Sequence, residues 1–162
     1  SAFPQNGKWY YETKWESRDT SNMWFGIVNN VDLRTEVIYY ANGTSYVNSS
    51  TDSSYGATYT VGDIISVAMD CDNNKIHFAV NGSYTNSSNP ATNTNGFNMT
   101  DDYQFFAHAT LTGSQTWKNN FGGYTAISIS SAASNANGYG TFEYAPPSGY
   151  YALCTKNLAE YG

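Results

Sequence analysis

The sequence predicts an all-β fold, an antiparallel sandwich of two sheets, and three observations predict it. Apolar residues recur with a period of two in segment after segment, the mark of half-buried strands. Clusters of Gly, Asn, Asp and Ser separate these segments at short intervals. No stretch repeats its apolar residues with a helical period over a useful length. The chain has 162 residues, the size of one ordinary domain, and no internal repeat divides it.

Residues 8–15 alternate Trp9, Tyr11, Thr13 and Trp15 against Tyr10, Glu12 and Lys14, which predicts the first strand. Residues 23–28 read as the second. Residues 37–40 and 44–47 flank Ala41-Asn42-Gly43, a hairpin turn in which glycine accepts positive φ. The clearest hairpin joins 63–70 to 75–80. Ile65, Val67, Met69 and Cys71 share one face there, and Ile76, Phe78 and Val80 answer them across Asp72-Asn73-Asn74. Residues 103–111, 115–121 and 140–144 supply three further strands. Residues 84–100 and 128–140 are rich in small and polar side chains and read as long loops, the second as a flexible excursion.

Composition narrows the function. Asn, Ser and Thr make up 54 of the 162 residues, while charged residues number 20 and give a net charge of −6. Aromatic residues reach 17 %, too many for a disordered linker. No apolar run is long enough to span or insert into a membrane, and an acidic chain lacks the basic stripe that nucleic acid requires. No basic, apolar-cored leader opens the chain, so it reads as mature, trimmed or cut from a longer polypeptide. Abundant Tyr beside Asn, Ser and Thr points to recognition rather than chemistry.

The residues that carry chemistry elsewhere form no catalytic pattern here. Asp70 and Asp72 bracket a hairpin turn, where Asp and Asn hydrogen-bond their own backbone. The run from Asp70 fails as a calcium loop because Lys75 stands where glycine is needed and Asn81 where a bidentate Glu belongs. His77 and His108 stand opposite the apolar series of their strands and are expected to point outward. No spacing among the histidines or cysteines suits a metal site, no Gly-x-Ser-x-Gly elbow marks a nucleophile, and no phosphate loop occurs. Neither a catalytic residue, a metal nor a cofactor is expected. Cys71 reads as a small core hydrophobe, and its pairing with Cys154 is left open. Five Asn-x-Ser/Thr triplets begin at Asn42, Asn48, Asn81, Asn86 and Asn98, a number that so Asn-rich a chain produces by chance.

The aromatics divide. Trp9 or Tyr10, Phe25, Phe78, Phe105, Phe121 and Phe142 stand in strands and are expected in the core. Tyr39, Tyr40, Tyr46, Tyr55, Tyr59 and Tyr84 stand in or beside loops, where they either brace the loops or present rigid amphipathic rings to a partner or a sugar face.

The hairpin from Gly62-Asp63-Ile64-Ile65 to Phe78-Ala79-Val80-Asn81-Gly82 resembles the signature hairpin of SPRY domains. Gly7-Lys8-Trp9-Tyr10-Tyr11-Glu12, Phe25-Gly26-Ile27, Asn120-Phe121-Gly122 and Phe142-Glu143-Tyr144-Ala145-Pro146-Pro147-Ser148-Gly149-Tyr150 resemble further family motifs in the family's order. The strand at 103–111 follows as well, with Phe106 in place of a proline. The closing run from Tyr151 to Leu158 is similar to SPRY-like domains of bacteriophage structural proteins. The resemblance covers most of residues 7–158. Two departures stand out: the family's first strand is missing or supplied from elsewhere, and the segment between Gly122 and Phe142 is long.

The resemblance implies a concanavalin-like sandwich, residues 1–162 forming a single SPRY-like domain within a longer polypeptide. It implies a non-catalytic binding module of a virion protein, located on the virion or outside the cell. The partner would be a protein or glycan on a host surface, or another virion protein. Binding would use loops at one end of the sandwich, the connections at 29–37 and 112–115. Asp32-Leu33-Arg34-Thr35-Glu36 places three of the chain's 20 charges around one leucine, so Asp32, Leu33, Arg34 and Glu36 are the first candidate partner-binding residues. Tyr46, Tyr55, Thr112 and Gln115 complete the set. The alternative is a lectin-like carbohydrate-binding module that uses the loop Tyr and Asn.

Overall fold

A computed structural model of the chain describes residues 4–18, 23–28, 36–99, 105–110, 113–123, 126–135 and 137–162. Twelve strands run in chain order. They are β1 (Lys8–Arg18), β2 (Met23–Val28), β3 (Glu36–Tyr40), β4 (Ser45–Val47), β5 (Ser50–Asp52), β6 (Ile64–Asp70) and β7 (Lys75–Val80), then β8 (Ser83–Tyr84), β9 (Phe97–Asn98), β10 (Phe105–Thr110), β11 (Gln115–Asn120) and β12 (Tyr151–Ala152). A 3₁₀ turn at Thr85–Ser87 follows β8, and one helix, α1 (Thr155–Tyr161), closes the chain.

Two sheets form the sandwich. The first has seven strands, with the path β11-β1-β6-β7-β8, β12 added to β1 and β9 to β7; the second has five, ordered β10-β2-β3-β4-β5. Pairing is antiparallel except between β1 and β12. The all-β, two-sheet prediction holds, and the strands at 23–28 and 75–80 carry the predicted bounds.

Between the sheets the alternating positions meet. Trp9, Tyr11 and Trp15 from β1, Phe25 and Ile27 from β2, Ile65, Val67 and Met69 from β6, and Ile76 and Phe78 from β7 are buried in one cluster. Val67 pairs with Phe78 and Met69 with Ile76, the register the sequence predicted. Cys71 joins this cluster as a buried free thiol, and Cys154 is free as well.

The outer face of the seven-stranded sheet is also covered, which alternation did not predict. All seven residues of β6 are buried. A second cluster on that face unites Tyr10, Ala68, Phe142, Tyr150 and Ala152, with Phe142 meeting Tyr10 edge-on at 4.8 Å. Glu12 anchors the cover. Fully buried, its carboxylate accepts the amides of Glu143 (2.9 Å) and Tyr144 (2.8 Å), the Tyr10 hydroxyl (3.2 Å) and Asn120 Nδ2 (3.4 Å). Burial pushes the Glu12 carboxyl above the usual range, and these four donors oppose the rise. Gly122 lets the chain cross here: a Cβ would stand 2.6 Å from that of Ala152, and φ is +86°.

Four expectations are corrected. Residues 140–144 contain no strand, only a bridge between Ala133 and Phe142. The segment 128–140 is pinned rather than a free excursion: Ser130 N donates to Glu143 Oε2 at 2.6 Å, and Asn135 is buried. Residues 84–100 hold β8, the 3₁₀ turn and β9 against β7. His77 is fully buried beneath that segment instead of pointing to solvent. His108 stands on β10 opposite Phe25 in the register.

Candidate functional site

Strand register decides which candidate residues come together. β2 and β3 pair with Val28 opposite Glu36, so their connection, residues 29–35, leaves from that end of the five-stranded sheet. β10 pairs with β2 with Phe105 opposite Val28 and Thr110 opposite Met23. The chain therefore leaves β10 toward Gln115 from the Met23 end. The connection carrying Asp32, Leu33 and Arg34 and the one carrying Thr112 depart from opposite ends of the sheet. Asp32, Leu33, Arg34 and Thr112 themselves lie outside the described residues.

At the Val28 end, Glu36 opens β3 and Val37 pairs with Val47. Asn48 and Ser49, both exposed and both at positive φ, turn the chain into β5 beside it. Tyr46 stands half-buried on β4, opposite Ile38 on one side and Thr51 on the other. This end thus gathers Glu36, Tyr46 and an exposed Asn-Ser turn around the departure of residues 29–35.

Gln115 belongs elsewhere. It opens β11 opposite Arg18, and its Oε1 accepts Trp117 Nε1 at 2.6 Å. Trp117 stacks on Trp15 with centroids 5.7 Å apart, and the Arg18 guanidinium lies over the Trp15 ring, 5.1 Å from its centroid. Gln115 braces this stack.

Tyr55 is a core residue, which corrects its place among the candidates. Its ring meets Tyr39 at 5.2 Å and Phe97 at 4.5 Å, and its hydroxyl accepts the Thr85 hydroxyl at 2.8 Å. Tyr59 is equally buried and donates to Tyr39 O at 2.7 Å, while the Tyr39 hydroxyl donates to Ala57 O. Burial raises the hydroxyl pKa of all three, so they stay neutral. The rings expected on loops brace those loops from inside.

The turn carboxylates are structural. Asp70 accepts Lys8 Nζ (2.9 Å), Asn73 Nδ2 (2.9 Å), the Asn73 amide (3.0 Å) and Asn93 Nδ2 (2.8 Å), and Asp72 accepts the Gly7 amide at 2.8 Å. Burial alone would raise the Asp70 carboxyl, but these donors outweigh it and hold it at about 2. No group of three or more His, Cys, Asp or Glu that could hold a metal occurs among the described residues.

The SPRY domain model matches residues 8–124, nearly three quarters of the chain. The chain belongs to the SPRY domain family. Among solved structures, the SPRY domain of human HERC1 is similar in fold, with a TM-score of 0.53 at 18 % sequence identity, over 72 % of this chain and 74 % of that one. No curated protein matches. SPRY domains are protein-interaction modules rather than catalysts. The match ends before the Phe142–Ala152 cover, the part of the fold that alternation also missed.

Proposed function

We propose that this SPRY domain is a non-catalytic recognition module whose partner is a protein, docked at the Val28–Glu36 end of the five-stranded sheet. The observation that carries the proposal is the register that brings Glu36, Tyr46 and the Asn48-Ser49 turn around the point from which residues 29–35 depart. That connection and the first residue of β3 place Asp32, Arg34 and Glu36 around Leu33. Leu33 fills an apolar pocket on the partner and Arg34 forms a charge-assisted pair, a combination enriched at interface hot spots. Asp32 and Glu36 set the complementary charge and steer encounter.

The proposed setting is the virion of a bacteriophage, with a host-surface receptor or a neighbouring virion protein as partner. The Tyr151–Leu158 run supports it through its resemblance to phage structural proteins. Binding of the labelled domain to host cells treated with protease or with periodate tests the partner class. Loss after protease alone is the expected result. Loss after periodate alone would replace the protein with a glycan, for which Tyr55 and Tyr59 are unsuited because they are buried.

A further inference from the structure

Residues 85–97 carry no charged side chain; they run between β8 and β9, which pair with β7, and pass against His77 through Asn93 and Gly96. His77 is fully buried beneath them, and Gly96 crosses its ring so closely that a Cβ there would stand 2.5 Å from the imidazole Cε1. Asn93 fixes the imidazole's tautomer. Its Nδ2 donates to Asp70 Oδ2 at 2.8 Å, which turns its Oδ1 toward His77 Nε2, 3.3 Å away. An amide oxygen only accepts, so Nε2 carries the hydrogen and Nδ1 is the bare nitrogen. Nδ1 is buried and has no hydrogen-bond partner.

We propose that His77 is an acid-operated latch, which holds residues 85–97 on the sheet while neutral and releases them when protonated. Protonation turns Nδ1 into a charged donor with no acceptor in a closed site, an expensive state that opening relieves. The groups around the ring do not rescue it. On β6, Asp70 is the one carboxylate, already engaged by Lys8, Asn73 and Asn93. Lys75 on β7 and Lys8 on β1 are cations, and Tyr10, Tyr84 and Tyr150 are neutral phenols. The covering segment carries no titratable side chain, and its Pro90 carbonyl is taken by the Tyr150 hydroxyl at 3.2 Å.

The sign follows. Burial first, with Lys75 adding to it, holds His77 below its ordinary value against the pull of Asn93 and Asp70. The open loop binds a proton more readily than the closed one, so closure weakens as pH falls through the ordinary histidine range. Asn86, Ser87, Asn93 and Asn95 all sit at positive φ, so the loop's shape depends on its anchors.

Hydrogen exchange of the Ser88, Asn89 and Thr94 amides, which donate to carbonyls within this segment, reads the latch once corrected for intrinsic pH dependence. Protection falls at least about tenfold between about pH 7.5 and about pH 5 in the wild type. It does not fall in His77→Gln, which keeps a donor for Asn93 but cannot charge. Asp70 stays ionised throughout this range. His108→Gln keeps the fall; its disappearance there would assign the effect to His108 and overturn the proposal. Should His77→Gln not fold, imidazole nitrogen shifts of the wild type decide. An Nε2–H tautomer that titrates below the ordinary histidine value, together with loss of loop protection, supports the latch. Equal protection at both pH values, a fall that survives His77→Gln, or titration at the ordinary value with the loop still protected overturns it.

Discussion

Phe25 and Phe78 meet edge to face across the sandwich, their centroids 5.1 Å apart and their planes at 82°. One comes from each sheet, and both are fully buried. Tyr39 and Phe97 close around Phe78, at 5.8 and 6.2 Å. This is where the two sheets share a core.

Phe78→Ala empties that position. The loss is expected to be about 3–5 kcal/mol, a large part of the 5–15 kcal/mol typical of a domain. Urea unfolding measures it. A change under about 1 kcal/mol would mean the ring is not packed between the sheets.

Glu12 is expected to matter through the amides it accepts. Glu12→Ala leaves the Glu143 and Tyr144 amides without their acceptor, at a cost of about 2 kcal/mol or more, while the Tyr10 hydroxyl keeps Ser66 Oγ and Asn120 Nδ2 keeps Thr141 O. Glu12→Gln retains one acceptor oxygen and loses less. Proteolysis within residues 126–150 should quicken in the alanine variant, because the cover over Tyr10 and Ala68 loosens. An alanine variant as stable and as resistant as wild type contradicts this role.

Asp70 supplies an acid limb to stability. Its carboxyl titrates at about 2 in the folded chain, against 3.8 ordinarily. Between these values the unfolded chain binds more protons, so stability is fully present above about pH 4 and is lost as pH falls toward 2. The contribution is about 2 kcal/mol. Unfolding free energies from pH 5 to 2 should fall more steeply in wild type than in Asp70→Asn; parallel slopes would remove Asp70 as the cause.

What the sequence disclosed follows from the period that each element imposes. In β6 and β7 the residues Ile65, Val67, Met69, Ile76 and Phe78 stand on one face, so the hairpin and its register were legible. The opposite face of the same strands carries Ser66, Ala68 and His77, which read as a solvated side and are all buried, His77 beneath the segment that follows β7. Phe142, Tyr150 and Ala152 reach that face by tertiary contact alone, with no local pattern to announce it. The helix Thr155–Tyr161 is seven residues long and buries only Asn157, too short to show a period. Tyr55 and Tyr59 sit in turn-rich sequence, and only the fold reveals that their rings enter the core. The separation of the two candidate connections was hidden for a similar reason, because it depends on the antiparallel pairing of β10 with β2.

The most direct test of the recognition surface is the double variant Leu33→Ala, Arg34→Ala, measured for partner or host-cell binding alongside its melting temperature. The account predicts a melting temperature near that of wild type and binding weakened at least about tenfold, or about 1.4 kcal/mol. Binding and stability both unaltered would contradict it.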